Sequence, residues 1–393
     1  MNILMLAPEP FFQPRGTPIS VYFRTRALSD LGHKVDLVTY HLGENKKIRN
    51  MKIVRIPDIF SIQTVKIGPS WTKIPLDLLL FLRASHLLTQ QSYDLIFSHE
   101  EAALFGTVLS KIWRIPHIYD MHSSLPQQLE NFEFTRSRLI ISLFNRFENF
   151  ILKNSQAVIV ICLDLLRAVR KKGFESKTVL LENFIDFEDV SEAPKDPPHR
   201  REDFARQGEK IVLYTGNFLP YQGIPLLLEA AARLEKKDVV FLLVGGDREA
   251  VARMKDRARE LNIPEQVKFT GQVPPNQVSG YIWMADALVS PRLSGTNTPL
   301  KIYAFLKSGR PLVATNLWTH SQVLDNTTAI LVKPDADSLA EGISLALFDP
   351  EGQKRAEAAR QLAEKEYIYT RYLEIMTTVL EKATANRSQK MRH

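Results

Sequence analysis

The stretch Ser290–Thr315 reads SPRLSGTNTPLKIYAFLKSGRPLVAT, and it predicts the end of a strand, a polar loop, a helix and a second strand in succession. Thr298 is a good helix N-cap, and Pro299 suits the first helical position because its missing N–H would have no intrahelical partner there. Gly309 is a natural end for the helix, and Leu312–Ala314 is an apolar strand pattern after it. The stretch therefore predicts one strand–loop–helix–strand unit.

Two cations, Arg292 and Lys301, lie in this loop and at the start of the predicted helix. A helix N-terminus presents free backbone N–H groups and the positive end of the helix dipole, and both suit a phosphate-bearing ligand. The loop alone leaves two interpretations open: a phosphate site, or an ordinary turn whose cations are solvated.

The length of 393 residues predicts two domains. Hydrophobic residues make up 45% of the chain and charged residues 24%, which is enough apolar material for two cores. The 51 Lys and Arg residues outnumber the 44 Asp and Glu residues, so the net charge is +7. This positive charge is spread along the chain. It fits anionic small ligands, acidic lipid surfaces or nucleic acid, and it does not choose among them.

The chain has a single cysteine, Cys162, which cannot form an internal disulfide or a cysteine metal cluster, and its apolar surroundings predict a buried thiol. A reducing cytoplasm is therefore expected. Met1–Ala7 has no basic region before its apolar core, so we do not expect a signal peptide. No apolar run reaches the length of a membrane-spanning helix, so any membrane contact is expected to be peripheral.

The first half of the chain alternates apolar strand patterns with helix patterns. The opening strand Ile3–Ala7 leads into a proline-rich loop, and Thr17 with Pro18 predicts the N-cap and first turn of the next helix. Gly16 and the amides of this turn could approach a phosphate or a sugar, and a plain capped turn explains them equally well. The loop lacks the pattern G-x-G-x-x-G, which argues against a dehydrogenase that binds a dinucleotide.

Asp120 and His122 flank the end of the predicted strand His117–Met121. In open parallel sheets, ligands bind at the carboxyl ends of the strands. A histidine there can hydrogen-bond a substrate hydroxyl or transfer a proton. A lone histidine is more often a structural hydrogen-bonding group, so both interpretations stay open at this point.

Residues 186–207 lose the apolar periodicity and are rich in proline and charge, as expected of an interdomain linker. A second series of strands and helices begins at Lys210. The predicted fold class is α/β, with two Rossmann-like, doubly wound parallel sheets whose carboxyl-end loops are expected to face a central cleft. The expected divisions are a first domain at 1–190, a linker at 191–209, a second domain at 210–365, a last helix at 366–385 and a disordered tail at 386–393.

Nearly the whole chain resembles the glycosyltransferases of family 4, which have the GT-B fold of two Rossmann-like domains. The segments that carry the resemblance are LSDLGHKVDLVT, YDMH and LLENFID in the first half, and YTGNFLPYQGIPLLLEA, FLLVGGD, VKFTGQV, MADALVSP and LKIYAFLKSGRPLVAT in the second. The resemblance implies transfer of a hexose-type sugar from a UDP- or GDP-sugar to an acceptor hydroxyl, usually with retention and without a bound metal or other cofactor. It also suggests that the last helix crosses back onto the first domain.

The resemblance assigns site residues by position. His122 matches the histidine that contacts the donor sugar near the reacting carbon, and Asp120 is taken with it as a catalytic candidate. Gly16, followed by Thr17, matches the glycine loop that faces the diphosphate and the acceptor. The segments that match the lining of the nucleotide base and ribose contain Gly245, Gly246, Asp247, Gly271 and Val273. The segment that matches the loop holding the sugar and diphosphate contains Thr296, Asn297 and Thr298.

The chain departs from the family at two pairs of positions. Thr296 and Ala304 stand where the family usually has two glutamates spaced as E-x7-E, and alanine cannot accept hydrogen bonds from ribose hydroxyls. Asn217 and Gln222, both neutral, stand where the family usually has an arginine and a lysine. The usual clamp on the diphosphate is therefore missing from its usual place.

We hypothesise that Arg292 and Lys301 replace this clamp and act with His122 and Asp120 in catalysis. Both cations lie in the loop-to-helix element, where charge and helix dipole can act together. The alternative is that both cations pair with carboxylates and the chain is a catalytically silent sugar-nucleotide-binding or partner subunit. A GT-B sugar-nucleotide epimerase is a further alternative. Nucleic-acid binding is not expected, because the basic residues are scattered and no known module is present.

Two stretches of the first domain, Val65–Arg83 and Arg136–Lys153, combine apolar and basic residues. The apolar face of the second stretch is expected to pack on the sheet, and docking on an anionic membrane is the alternative. Because such acceptors are common in the family, a glycan or lipid-linked acceptor is expected. The protein would then work in the cytoplasm, at the inner face of the membrane.

Overall fold

The computed structural model describes residues 1–13, 16–65, 68, 70–131, 137–184, 199–234 and 238–390. It divides into two compact units. The first contains Met1–Glu182 and Thr370–His393, and the second contains Asn183–Tyr369.

The first unit contains a seven-stranded sheet. Its strands are β1 (Asn2–Ala7), β2 (Lys34–Thr39), β3 (Met51–Arg55), β4 (Leu95–His99), β5 (His117–Met121), β6 (Ala157–Val160) and β7 (Thr178–Leu180). Its helices include α1 (Gly16–Asp30), α2 (Lys73–Gln90), α3 (Ala102–Trp113), α4 (Leu125–Asn131), α5 (Arg138–Asn154) and α6 (Leu163–Lys171). The strand order is β3-β2-β1-β4-β5-β6-β7 and the described pairings are parallel.

The second unit contains a six-stranded sheet. Its strands are β8 (Lys210–Thr215), β9 (Val239–Val244), β10 (Val267–Gly271), β11 (Ala287–Ser290), β12 (Leu312–Thr315) and β13 (Ile330–Val332). Its helices include α7 (Ile224–Arg233), α8 (Arg248–Glu260), α9 (Val278–Met284), α10 (Lys301–Lys307), α11 (Trp318–Ser321), α12 (Ala336–Phe348) and α13 (Pro350–Glu366). The strand order is β10-β9-β8-β11-β12-β13, again with parallel neighbours.

These two sheets confirm the predicted α/β fold class. Their central strands are buried on both faces, which is why they read as continuous apolar runs in the sequence; all six residues of β9 are buried. The strand order reverses between β1 and β4 in the first unit, and between β8 and β11 in the second. Ligands bind outside the carboxyl ends of strands at such reversal points.

The C-terminal helix α14 (Tyr369–Lys390) corrects the predicted tail. Residues 386–390, expected to be disordered, continue this helix, because Gln, Lys and Arg favour helix once an earlier stretch is anchored. Tyr372, Met376 and Val379 are buried, and they provide that anchor. Residues 391–393 lie outside the described residues.

The end of the predicted linker is part of the second unit. Residues 191–198 lie outside the described residues, but 199–209 belong to the second unit. Arg201 donates to the backbone oxygens of Met284 and Glu209 and forms a 2.6 Å ion pair with Asp286. These contacts fix the end of the predicted linker to the second unit. Local sequence periodicity does not reveal them, because they depend on the folded chain.

Helix α5 contradicts the expectation that its whole apolar face packs on the sheet; Arg136, at the start of the predicted stretch, lies outside the described residues. Ile151 and Leu152 are buried, but Leu139 is 83% exposed and Ile140 and Leu143 are exposed as well. The fully buried residues of the helix lie in its second half, and Phe144 of the first half packs partly buried against the core. None of the described helices is long and apolar enough to cross a membrane.

Candidate active site

The carboxyl ends of β4 and β5 bring three titratable side chains of the first unit together. His99, the last residue of β4, is the register partner of Asp120 in β5, and His122 follows directly after the end of β5. Oδ2 of Asp120 lies 3.2 Å from Nδ1 of His99 and 3.1 Å from Nε2 of His122. The candidates Asp120 and His122 therefore form one buried cluster with His99, which the sequence did not single out.

The cluster is completed by Arg24 of α1, whose side chain is fully buried. Its Nε donates to Oδ2 of Asp120 at 2.9 Å, and its Nη2 donates to the backbone oxygen of Leu181 at 3.0 Å. Its Nη1 donates to the hydroxyl of Tyr372 in α14. The guanidinium can stay charged in the interior because each of its nitrogens has an acceptor.

The charge states in the cluster follow from these contacts. Burial alone would raise the pKa of Asp120, but the charge of Arg24 and the hydrogen bonds from His122 and His99 hold that pKa well below its ordinary value. Burial lowers the pKa of His99 to about 4, against the opposing effect of Asp120. At neutral pH, Asp120 is therefore ionised and His99 is neutral, with its proton on the Nδ1 that faces the carboxylate.

His99, Asp120 and His122 also satisfy the spacing of a metal site, since their ligand atoms lie within 4.8 Å of one another. However, Arg24 donates to Oδ2 of Asp120 at 2.9 Å, and its fixed charge would repel a cation bound beside it. Hydrogen bonds from two imidazole N–H groups explain the same distances. We therefore interpret the cluster as hydrogen-bonded.

Gly16 and Thr17 form the first turn of α1. The helix begins at Gly16, so the prediction that Thr17 caps it is wrong. A Cβ added to Gly16 would meet no atom of the described residues within 4 Å, so their packing does not demand glycine here. Among these residues, the turn leaves space for a ligand to approach.

In the second unit, Arg292 follows β11 at the point where the strand order reverses. Its Nη1 donates to the backbone oxygen of Asn297 at 2.9 Å and to Oγ1 of Thr319 at 2.7 Å. The guanidinium also lies 5.1 Å from the centre of the Tyr221 ring. Gly295 in the same loop has a φ of +127°, and a Cβ there would lie 3.1 Å from Nη1 of Arg292. Glycine thus lets the loop close around the arginine.

Lys301, the first residue of α10, reaches back to the neighbouring strand. Its Nζ donates to the backbone oxygen of Thr215, the last residue of β8, at 3.0 Å. The same ammonium lies 3.8 Å from the centre of the Tyr214 ring. Both predicted cations of the second unit therefore lie at the carboxyl ends of β8 and β11.

Neither cation has a carboxylate partner among the described residues; their contacts are backbone carbonyls, the hydroxyls of Thr319 and Tyr221, and aromatic rings. Burial lowers the pKa of Arg292. Burial, together with the charge of Arg292, holds the pKa of Lys301 well below its ordinary value. The alternative that both cations pair with carboxylates is therefore wrong, and the pair forms an uncompensated positive site that an anion would stabilise.

Two neutral candidates of the second unit are buried polar groups with unused hydrogen-bonding capacity. Oε1 of Gln222 and Oγ1 of Thr298 have no hydrogen-bond partner in the described part of the chain. Gln222 lies beside the arginine loop, because a Cβ on the next residue, Gly223, would lie 1.9 Å from the oxygen of Pro291. Asn217 is exposed, and its side chain only accepts from the backbone of Leu219 at 3.3 Å.

The loop before α10 corrects the predicted helix start. The helix begins at Lys301, and Thr298 is not its N-cap. The backbone oxygen of Asn297 accepts from Arg292 and from Thr319, and that of Thr296 accepts from Gln322 at 2.6 Å. These bonds hold the segment as a loop that precedes the helix. Ala304, on the buried side of α10, presents only a methyl group.

The remaining candidates lie at the carboxyl ends of β9 and β10. Gly246, Asp247 and Gly271 line a cavity of about 520 Å³, and Gly245 forms a bridge to Gly271 beside it. Oδ1 of Asp247 caps α8 by accepting from the backbone N–H of Ala250 at 2.8 Å. Val273, two residues beyond β10, packs on the core. The structure thus groups the candidates by unit, and each group lies at carboxyl ends of strands.

Two family models match the chain. The model described as Glycosyltransferase Family 4 matches residues 14–189, and the model described as Glycosyl transferases group 1 matches residues 196–365. Each match falls on one half of the chain, in line with the two sheets.

Curated relatives and solved structures match the chain along most of its length. A phosphatidyl-myo-inositol mannosyltransferase from Mycolicibacterium smegmatis is 24% identical, over 94% of this chain and 90% of its own. An alpha-monoglucosyldiacylglycerol synthase from Streptococcus pneumoniae is 24% identical, over 80% of this chain and 71% of its own. A sucrose-phosphate synthase from Thermosynechococcus elongatus superposes with a TM-score of 0.78 at 20% identity, covering 98% of this chain and 99% of its own. Anabaena HepE in complex with UDP-glucose superposes with a TM-score of 0.75 at 18% identity, covering 98% of this chain and 100% of its own.

Proposed function

We propose that this chain, which belongs to the GT4-type glycosyltransferases and has their GT-B fold, transfers a hexose-type sugar from a nucleoside-diphosphate sugar to an acceptor hydroxyl with retention. In this reaction the bond from the sugar C1 to the β-phosphate oxygen breaks, and its electron pair stays on the diphosphate. A bond from C1 to the acceptor oxygen forms, and the proton of the acceptor hydroxyl passes to the departing diphosphate. The products are the glycosylated acceptor and a nucleoside diphosphate.

The observation that carries the proposal is the uncompensated pair Arg292 and Lys301. The leaving diphosphate gains negative charge as the C1–O bond breaks, and a preorganised cation is most effective where such charge develops. The unused polar atoms of Gln222 and Thr298 lie in the same unit and can serve the donor's hydroxyl and phosphate groups. We propose no metal in this step, because the two side chains can supply the positive charge that the diphosphate needs.

His122 is the residue that we expect to contact the donor sugar. Asp120 binds Nε2 of its ring at 3.1 Å, which leaves Nδ1 on the other side of the imidazole. We propose that the imidazole, held by Asp120, hydrogen-bonds a hydroxyl of the donor sugar.

A thermal-shift panel of nucleoside diphosphates and their sugars tests the donor assignment. A ligand that binds the folded protein raises its apparent stability by mass action. We expect the diphosphate of one nucleoside, uridine or guanosine, to raise the unfolding temperature of the protein. The free nucleoside should not raise it. If no member of the panel shifts the transition, the proposal fails, as does the alternative of a silent sugar-nucleotide-binding subunit, and the partner-subunit alternative is preferred.

We also propose a lipid-linked or glycan acceptor reached at an anionic membrane on the cytoplasmic side. The relatives named above include enzymes whose names contain phosphatidyl-myo-inositol and diacylglycerol. Helices α2 and α5 each contain one acidic residue, Asp77 and Glu148, and neither is exposed. The exposed apolar residues in and beside these helices are Trp71, Ile74, Leu78, Leu82, Leu139, Ile140 and Leu143, and α5 adds the exposed cations Arg138, Arg146 and Lys153.

Vesicle sedimentation tests the proposed membrane contact. We expect the protein to sediment with vesicles that contain acidic phospholipid and not with neutral vesicles, since cations and apolar side chains act together. The double substitution Leu139→Ser and Leu143→Ser should weaken sedimentation by about tenfold or more, because each lost leucine contact removes burial in the acyl region. Phe348→Ser, at an exposed hydrophobic residue of the second unit, is the control. Absence of wild-type binding at low salt would rule out the membrane contact.

A further inference from the structure

A continuous chain of buried side chains links the C-terminal helix to His122. It runs from Tyr372 in α14 to Arg24 in α1, then to Asp120 in β5 and finally to His122. Arg24, Asp120 and His99 are 0% exposed, and Tyr372 is 3% exposed. These residues lie far apart in the sequence: Arg24 and Tyr372 are separated by 348 positions. The described contacts are hydrogen bonds, so the chain has a defined geometry at each step.

The two histidines approach Asp120 through different ring nitrogens. His99 uses Nδ1 and His122 uses Nε2, and both face the same oxygen, Oδ2. An ionised carboxylate only accepts hydrogen bonds, so each nitrogen that bonds to it carries a hydrogen. The two nitrogens also lie 3.4 Å from each other, but both lie closer to Oδ2 of Asp120. Nε2 of His99 has no hydrogen-bond partner among the described residues, which favours a hydrogen on Nδ1 of that ring. The His99 tautomer with its hydrogen on Nδ1 is the less common one for a free histidine side chain. Its presence would therefore report directly on the hydrogen bond to Asp120.

Arg24 determines where the carboxylate of Asp120 can lie. Its guanidinium is planar, and three of its nitrogens bond to three separate partners: Asp120, Tyr372 and the backbone oxygen of Leu181. A planar group that is held at three points cannot shift without breaking one of these bonds. Tyr372 therefore acts on the carboxylate through Arg24, and the carboxylate acts on the ring of His122.

We propose that Arg24, His99 and Tyr372 are positioning residues that fix the ring orientation and tautomer of His122, so that its Nδ1 faces the substrate. The tautomer claim stands on the contacts of the first unit, and its meaning for turnover rests on the proposed transfer reaction. The C-terminal helix thus contributes to the candidate active site without touching the substrate. Side chains that orient a functional histidine in this way affect its function nearly as much as the histidine itself.

Nuclear magnetic resonance of protein labelled with ¹⁵N-histidine tests the inference. His99→Asn and His122→Asn assign the two signals. In the wild type we expect a hydrogen on Nδ1 of His99 and on Nε2 of His122. In Tyr372→Phe, which removes a single hydroxyl and keeps the ring, we expect the His99 signal to move towards the free tautomer mixture. Turnover should fall about tenfold with the donor KM unchanged, since one hydrogen bond to a charged group is lost.

Tyr93→Phe is the matched control. Tyr93 is 4% exposed and belongs to the same unit, and its hydroxyl donates to Asp36 at 2.6 Å, away from the cluster. This variant should leave both histidine signals and turnover unchanged. Arg24→Lys is a second test, because it keeps the charge but cannot bond to three partners in one plane, and it should also disturb the His99 signal.

The inference is overturned if wild-type His99 carries its hydrogen on Nε2. It is also overturned if Tyr372→Phe and Arg24→Lys leave both histidine signals as they are in the wild type. These spectra need no substrate. If instead the spectra agree and no nucleotide binds, the positioning chain stands and the proposed transfer reaction fails.

Discussion

Replacement of Lys301 by methionine is expected to reduce turnover and affinity for nucleoside diphosphates by about 10²–10³-fold, the usual cost of removing one preorganised group that stabilises developing charge. Thermal stability of the ligand-free protein should not fall. Lys301 is buried beside Arg292 with no carboxylate partner among the described residues, so the free protein bears the cost of a desolvated charge. Methionine keeps the packing and removes that cost.

Arg292→Ala should show a loss of binding of the same size. Its guanidinium also holds the loop through Asn297 and Thr319, so this variant should lose some stability, unlike Lys301→Met. Lys354→Ala removes an exposed cation of α13 and is the control. Wild-type diphosphate affinity and turnover in both site variants would show that the clamp does not lie here.

The pKa of Lys301 also determines how the affinity for a diphosphate changes with pH. The pKa of Lys301 is held well below its ordinary value by burial and by Arg292. As pH rises through that lowered pKa, the ammonium loses its charge, and affinity for a diphosphate should fall. In Lys301→Met this step should be absent. Calorimetry across the pH range, with wild type and variant side by side, measures it.

The second large effect is expected at Asp120. Asp120→Asn keeps the shape of the side chain but leaves Arg24 as a buried, uncompensated charge. Loss of one partner of a buried ion pair costs about 3–5 kcal/mol of stability. Hydrogen exchange of the β5 amides should report this loss locally, whereas the β9 amides of the second unit should be unaffected.

A double-mutant cycle separates the loss of the Arg24–Asp120 ion pair from other destabilising effects of the substitutions. Arg24→Met in the Asp120→Asn background should recover part of the lost protection, because it removes the uncompensated charge. The pKa of Asp120 is lowered in the folded state, so its contribution is present above the unfolded-state pKa of about 3.9 and is lost as pH falls through the lower folded value. Wild type and Asp120→Asn should therefore converge in acid. Additive effects in the cycle, or a constant difference at all pH values, would contradict the buried-pair account.

The exposed half of α5 could not be predicted from the sequence pattern. The periodicity of Leu139, Leu143 and Ile151 indicates one apolar face, but periodicity does not say what covers that face. Only the position of the helix against the sheet shows that Ile151 is buried and that Leu139 is 83% exposed. The start of α10 is similar: Thr298 and Pro299 form a good cap sequence, yet bonds to the neighbouring Asn297 oxygen from Arg292 and Thr319 hold the loop out of the helix.

The two parallel α/β sheets could be predicted from the sequence, because strands buried on both faces read as apolar runs and helices as amphipathic ones. The place of Asp120 and His122 at the end of one strand could be predicted as well. The fold alone brings Arg24, His99 and Tyr372 to them, because hydrogen bonds between distant segments leave no local periodicity. It likewise decided that Arg292 and Lys301 have no acidic partner in the described chain, since the partner of a charge depends on what the fold brings near it.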